Sequence, residues 1–464
     1  MLKSLILKEV LNNLLNLRFT LAYFLCTFLL VGSSAIMLGE YLAEKDVYDV
    51  NKSAYDRRLT ETNHMWGYIW GGKIVLRPPT PMRIFALGGE KDADLRASVA
   101  AEFSPYLYGD FKRNPLSNLF PSVDMVFIIG VIISLLIFVL TYDAVSGERE
   151  EGTLRVLLSC PIPRDQILVA KWLGGFASLI VPLVTSWLIV LLILVFTRDI
   201  TLGVAEWGRI IGFFLLSTLY VGVVFSLSLM VSMFFRSSSS AVLALLLVWV
   251  VAIVALPAAS TSIAYLLSRP DGVEKAAVDI RDIGVLRWGP FERENAKVFK
   301  ERFGGRDWPE LSPSERNDWQ KWRGERTFQH IEGMVDSIIH VGQRSARNEL
   351  AVAGLSRWIA RFSPFGCFQN AAIELSGTGM QRRQTIRESL EEYSRKSTMH
   401  GLEYGRSGKP PHEFVAETAP RPSIRTIPLS SSLGAAMVDI GVLLCMGVLF
   451  FLGGYVAFMR MEVL

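Results

Sequence analysis

The chain is short of cysteine, of histidine and of any excess of one charge. Four cysteines, Cys26, Cys160, Cys367 and Cys445, occur in 464 residues. Two lie in long apolar runs, one in a short loop and one in a long polar segment. Under the topology argued below no two share a polar compartment, so no structural disulfide is expected. The five histidines, His64, His330, His340, His400 and His412, match no compact metal motif. On one helix His330 and His340 would stand about 15 Å apart, and surface or hydrogen-bonded roles are expected for all five. No Ser-His-Asp or Cys-His spacing marks a nucleophilic enzyme. With 48 basic against 44 acidic residues the net charge is +4, and no electrostatic stripe for nucleic acid follows from it. A complete phosphate-cradling loop is also missing. Gly67–Ile74 (GYIWGGKI) carries the Gly-x4-Gly-Lys half, but Ile74 stands where a magnesium-holding Ser or Thr is needed.

What the chain has in abundance is apolar residues, 51% against 20% charged. They fall in long runs. About 20 apolar residues in a helix cross about 30 Å of hydrocarbon, and six stretches qualify: Phe19–Gly39, Ser122–Tyr142, Trp172–Phe196, Ile210–Phe234, Ala241–Ala264 and Met437–Met459. Asp124 and Asp439 sit near the ends of their spans and are expected to be solvated there. Glycines 130, 174, 175, 212, 222, 447, 453 and 454 are expected to let helices approach closely. Residues 1–18 read as an amphipathic interfacial helix, with Leu2, Leu5, Ile6, Val10, Leu11 and Leu14 on one face and Lys3, Lys8, Glu9, Asn12 and Asn13 on the other.

Short basic flanks set the orientation. Lys3, Lys8, Arg18, Arg149, Arg155, Arg164, Lys171, Arg236 and Arg460 collect on one side, while the short loop 197–209 on the other holds Arg198 and Arg209. Both termini, the loop 143–171, the turn 235–240 and the tail 460–464 are therefore placed in the cytoplasm. Residues 40–121 and 265–436 are placed outside. The fold class expected is a polytopic α-helical membrane protein, N-in/C-in, with a mainly helical extracytoplasmic domain of minor β content. Helix is expected over Asp46–Thr62, Phe328–Phe362 and Arg382–Ser397, and a short strand over Gly72–Arg77. Ser363-Pro364 should stop the long helix, Lys409–Pro428 should be a linker, and Trp308, Trp319 and Trp322 should pack a small core.

The loop between the second and third spans, YDAVSGEREEGTLRVLLSCPIPRDQILVAK, is the most patterned stretch. Glu148, Arg149, Glu150 and Glu151 form an acidic-basic cluster just beyond the membrane. Gly152 can end that turn in the left-handed conformation. Thr153 can cap a second short helix, Leu154–Ser159. Pro161 and Pro163 end it, and Arg164 starts the return.

That ordered run, with Leu157-Leu158, resembles the first cytoplasmic loop of permease subunits of type-2 ABC transporters. The succession of amphipathic helix, span, large outer segment, span and loop is similar to a branch that includes permeases of copper-enzyme maturation and gliding-type export. Arg77–Pro81 (RPPTP) and Phe362–Gly379 (FSPFGCFQNAAIELSGTG) are similar to that branch as well. The resemblance implies a permease in the bacterial inner membrane that is not itself catalytic. Its partners would be an ABC ATPase subunit in two copies, a second copy of the chain or a homologous permease, membrane lipid and a periplasmic protein. ATP and magnesium would belong to the ATPase, with no cofactor or metal in this chain. Glu148, Arg149 and Glu150 would pair with charges in a groove of the ATPase, and Gly152, Thr153, Leu157, Pro161 and Arg164 would shape the coupling segment. Leu375–Gly379 echoes the ATPase signature loop but has no P-loop to serve. The implied activity is export or extraction, the alternative being mechanical transmission to an outer partner with nothing crossing.

Overall fold

The computed structural model describes residues 2–88, 96–101, 103–107, 123–159, 161–269 and 273–461. Its elements run α1 (Leu2–Leu14), α2 (Leu17–Thr60), α3 (Met65–Trp70), β1 (Lys73–Leu76), β2 (Arg96–Ala100), β3 (Phe103–Leu107), α4 (residues 125–141), α5 (Ser146–Glu150), α6 (Thr153–Ser159), α7 (Arg164–Phe196), α8 (Val204–Phe234), α9 (Ser238–Ser268), α10 (Val273–Leu286), α11 (Trp288–Arg302), α12 (Pro313–Ala360), α13 (Pro364–Ser376), α14 (Met380–Arg406) and α15 (Leu429–Met459). Six of them, α2, α4, α7, α8, α9 and α15, are long and apolar enough to cross a membrane. Five of them contain one of the apolar runs whole, and α4 lies within the sixth, 122–142. Cys160 and residue Ser122, the start of the second run, lie outside the described residues. Cys26, Cys367 and Cys445 are free thiols.

The helices outrun the apolar stretches because their polar extensions are held by partners. α2 has 44 residues, about 66 Å of helix, so it leaves the hydrocarbon as a rod. Asp46–Thr62 extends it as the sequence suggests, to Thr60. On that extension Glu44 pairs with Arg83 and lies 3.7 Å from Arg77, and Glu40 lies 3.8 Å from Arg83. The RPPTP turn is thereby fastened to α2.

Two spans carry π-helical segments, Ile128–Ile133 in α4 and Trp249–Ala255 in α9. A π turn leaves carbonyls without their usual donors, and in hydrocarbon no water replaces them. The Tyr220 hydroxyl donates to Gly130 O at 2.6 Å. Trp249 Nε1 donates to Val131 O and to Ser134 Oγ, both at 3.2 Å.

α13 lies in the stretch that the sequence assigns to the second polar segment, yet it packs inside the bundle against α8, α15 and both π segments. Phe368 stacks on Tyr220 with ring centroids 4.5 Å apart. A Cβ on Gly130 would come within 2.0 Å of the Phe365 ring, which is the close approach this glycine permits. With 13 residues α13 is too short to read as a span. Its signal was the stripe Phe365, Phe368, Ala372 and Leu375 at helical spacing.

Two aspartates depart from expectation. Asp124 is buried; it caps α4 by accepting from Phe127 N at 2.9 Å and also accepts from Leu87 N at 3.0 Å. Asp439, on α15, is fully buried instead of solvated. Arg357 Nη2 lies 2.5 Å from its Oδ2 and Arg361 Nε 2.7 Å from its Oδ1. Both arginines end α12, which enters the boundary far enough to put a two-guanidinium clamp on the carboxylate.

α12 begins with Ser312 accepting from Glu315 N and Glu315 accepting from Ser312 N, a reciprocal cap. It runs for 48 residues before Ser363-Pro364 stops it as expected and starts α13. The polar domain it supports draws on both long segments. β1, β2 and β3 form an antiparallel sheet with Lys73 opposite Val99 and Ala97 opposite Leu107. Val75, Ala97 and Val99 of the sheet pack on Ile386, Leu390 and Tyr393 of α14. A second core joins Met65, Tyr68 and Ile69 to Phe328, Ile331 and Leu402. Trp319 and Trp322 pack with Phe299 and Phe303, and Trp308 contacts the rim of that cluster.

Lys73 gives the domain a measurable weakness. Its Nζ is buried, has no hydrogen-bond partner among the described residues, and sits 4.4 Å from the Tyr68 ring centroid. Burial pushes its pKa down to about 8 from 10.5. The folded state then binds fewer protons than the unfolded state between these values, so stability rises with pH from about 8 to about 10.5. Lys73→Met should stabilise the domain by on the order of 2 kcal/mol at pH 7 and abolish that rise, both read from thermal unfolding across pH. Asp439→Ala should cost about 3–5 kcal/mol by leaving Arg361 without its carboxylate and Arg357 with Glu374 alone, read as a lower unfolding temperature in detergent.

Candidate functional site

At one end of the bundle the loop 143–171 folds as two short helices and a return. α5 closes on Gly152, whose φ of +76° is the left-handed conformation a glycine takes at little cost. α6 follows at once. Thr153 is its first helical residue instead of its cap: the Thr153 hydroxyl donates back to Glu148 O at 3.2 Å, and Gly152 O accepts from Arg155 N at 3.1 Å. Thr153 thus staples the two short helices. Leu154 points inward, fully buried with Val145, Ile167, Leu229, Met233 and Phe458. Leu157 is half-buried beside that cluster, and Pro161 is exposed. Pro163 precedes α7, whose first residue is Arg164.

The charges of the loop are spent largely on the chain itself. Glu148 Oε1 lies 2.6 Å from Lys171 Nζ. Lys171 is buried and also reaches Glu9 at 3.4 Å and Ala144 O at 3.4 Å. Glu150 Oε2 accepts from Ser238 N at 3.1 Å, at the start of α9. Arg149 is half-buried and already engaged. The Ser232 hydroxyl of α8 accepts from Val145 N and Ser146 N, both at 3.1 Å, and donates to Tyr142 O at 2.8 Å. Arg18 at the base of α2 pairs with Asp143 at 3.3 Å. Arg164 Nη1 donates to Met459 O at 3.2 Å and Met461 O at 3.1 Å, the end of α15. The loop is therefore bonded to α1, α2, α7, α8, α9 and α15.

α1 is drawn into this network. Its polar face is divided: Lys3, Lys8 and Asn12 remain exposed, while Glu9 and Asn13 turn toward α7. Asn13 Nδ2 donates to Ser178 Oγ at 3.4 Å. The contact is close because Gly174 carries no side chain, and a Cβ there would meet Glu9 Cβ at 2.6 Å. Facing away from the bundle are Glu151, Thr153, Arg155, Val156 and Ser159. Val156 is 68% exposed at this polar end. Of the residues singled out from sequence, Thr153 bonds to Glu148, while Glu148, Glu150 and Arg164 tie the loop to three different helices, α7, α9 and α15. Lys171, Ser232, Ser238 and the outward Val156 were missed as site residues; a basic residue opposite the acidic cluster and a serine run opening α9 were the available signals.

Among the described residues no three His, Cys, Asp or Glu side chains converge as metal ligands. The P-loop-like stretch does not form a cradle: helix α3 precedes Lys73, strand β1 begins at it, and the Lys73 ammonium is buried.

The model of the family described as ABC-2 family transporter protein matches residues 5–463. The chain is 36% identical over 92 residues to the Probable ABC transporter permease protein NosY of Stutzerimonas stutzeri, covering 20% of this chain and 33% of that protein. It is 38% identical over 96 residues to the protein of the same name in Pseudomonas aeruginosa, again covering 20% and 33%. The chain thus spans about a third of the length of these relatives. With a family match from residue 5 to residue 463 and six helices of membrane-crossing length, the chain belongs to the ABC-2 transporter family and is a multi-pass membrane protein of the ABC permease kind.

Proposed function

We propose that this chain is the membrane-spanning subunit of an ATP-driven exporter or extractor in the bacterial inner membrane, coupled through residues 143–171 to a separate ATPase subunit present in two copies. A second permease copy completes the assembly, and ATP and magnesium are held by the ATPase. Both termini face the cytoplasm in this reading, because the network end carries Arg18, Arg155, Arg164, Lys171, Arg236 and Arg460. The observation that carries the reading is the bonding of one short loop to α1 and to five of the six spans. Each bond contributes about 1 kcal/mol, yet together they prevent the loop from moving alone. A partner that holds α5 and α6 differently with and without nucleotide shifts the span ends with them. The docking surface in this reading is the outward face of α6, with Val156 at its centre and Glu151 and Arg155 beside it. Glu148 and Glu150 act from behind it, holding the segment in place.

A second reading, transmission of motion to an outer partner, is favoured by the Asp439 clamp. α15 is bonded to the loop through Arg164 at one end and to α12 through Arg357 and Arg361 at the other. A shift of α15 is thereby delivered to a 48-residue helix of the polar domain.

Val156→Asp should abolish copurification of the ATPase subunit with the full-length chain and its stimulated ATP hydrolysis, while leaving the unfolding temperature of the chain unchanged. Undiminished copurification overturns the proposed surface. For the second reading, trapping the ATPase with ATP and vanadate should change hydrogen exchange over residues 313–345. Asp439→Asn should remove that change while hydrolysis persists; a domain indifferent to nucleotide in the unsubstituted protein overturns it.

A further inference from the structure

A cavity of about 560 Å³ lies at the other end of the bundle, where α2, α8 and α13 meet the polar domain. Its wall includes Tyr41, Pro79, Leu202, Arg209, Ser376 and Arg382. Arg209 is 7% exposed. Its guanidinium donates to Ile427 O at 2.6 Å and to Leu375 O at 3.4 Å. Among the described residues it has no ion pair. Two carbonyls leave part of a five-donor fork unused, and the carboxylate that acts on it electrostatically, Glu206, is hydrogen-bonded to Gly203 N. Gly377 makes room for it: with φ +68°, a Cβ there would stand 2.0 Å from Arg209 Nη1.

Two further groups look onto the same space. Arg382 is buried and donates to Arg425 O at 3.3 Å and Pro78 O at 3.5 Å. Ser376 is 1% exposed, and among the described residues its hydroxyl has no hydrogen-bond partner. Among the described residues the acidic residue on the wall is Glu206, whose carboxylate oxygen accepts from Gly203 N at 2.9 Å and caps its own helix. The wall therefore carries two guanidiniums against one occupied carboxylate. The Tyr41 ring, Pro79 and Leu202 add apolar surface, and Thr80, Thr201 and Thr426 add hydroxyl-bearing side chains. Tyr41 lies just beyond Glu40, which follows the first apolar run, and Arg209 immediately precedes the fourth, which puts the cavity at headgroup depth in the membrane reading.

We infer that this cavity binds a glycerol phosphate ester, with the phosphate on Arg209 and Ser376 and the glycerol portion against Tyr41 and Pro79. The ester comes either from a membrane phospholipid or from a soluble phosphate monoester, and the inference rests on membrane placement but not on the coupling loop. Native mass spectrometry of the full-length chain in detergent tests it, with dioleoyl phosphatidylglycerol, dioleoyl glycerol and glycerol 3-phosphate as separate probes. Phosphatidylglycerol should be retained at one per chain and dioleoyl glycerol lost. Arg209→Gln should weaken retention by about tenfold. Thr201→Trp, at an exposed wall position that makes none of these bonds, should also weaken it while leaving the unfolding temperature unchanged. Glycerol 3-phosphate binding without lipid retention supports the site and assigns it to a soluble ester. Equal retention of both lipids, or retention unaffected by both substitutions, overturns it.

Discussion

The Lys171 ammonium is buried where α7 leaves the bundle, and a cation in that position has to be matched where it stands. Glu148 at 2.6 Å and Glu9 at 3.4 Å supply the match. Those two acids come from opposite directions, one from the loop and one from α1, so a single ammonium fixes both against α7. With α5 pinned there, Glu150 reaches Ser238 N and Val145 and Ser146 reach the Ser232 hydroxyl. Leu154 can then bury under α6. The same acids had looked like groups reserved for a partner. Within the chain those bonds set position, and the proposed docking surface is the outward face of α6.

Much of this was legible in sequence. The six apolar runs are strong signals because nothing but a helix satisfies its backbone in hydrocarbon. Gly152 and the Pro161–Pro163 pair punctuate the loop as their backbone preferences require. The strand at Lys73–Leu76, the stop at Ser363-Pro364 and the helical extension of α2 follow from equally local rules. What escaped was set by tertiary partners. Asp439 reads as an end-of-span residue unless Arg357 and Arg361 are known to arrive from α12, 78 to 82 positions away. α13 reads as part of a polar segment because its 13 residues cannot cross a bilayer. Thr153 reads as a cap because threonine often is one, but its hydroxyl is drawn back by Glu148 O.

Packing within the chain indicates which spans can respond to the loop. The most apolar stretch of α8 is 61% buried, while those of α9 and α15 are each 17% buried. α8 is therefore the fixed member, locked by side chains that interdigitate on most of its surface. α9 and α15 face outward along most of their length, toward lipid or a second copy, and lipid tails do not interlock with a helix as a packed core does. The loop bonds directly to both, through Glu150 to the start of α9 and through Arg164 to the end of α15. Both continue into the polar domain's support: Ser260 and Thr261 near the far end of α9 each lie 3.1 Å from Ser356 Oγ, and Asp439 of α15 takes Arg357 and Arg361. In the proposed coupling, displacing the loop acts on the two least buried spans, and both converge on the last turns of α12. The geometry favours motion of α12 as a unit over independent motion of its two attachments, because Ser356 and Arg357 are neighbours on one rigid helix.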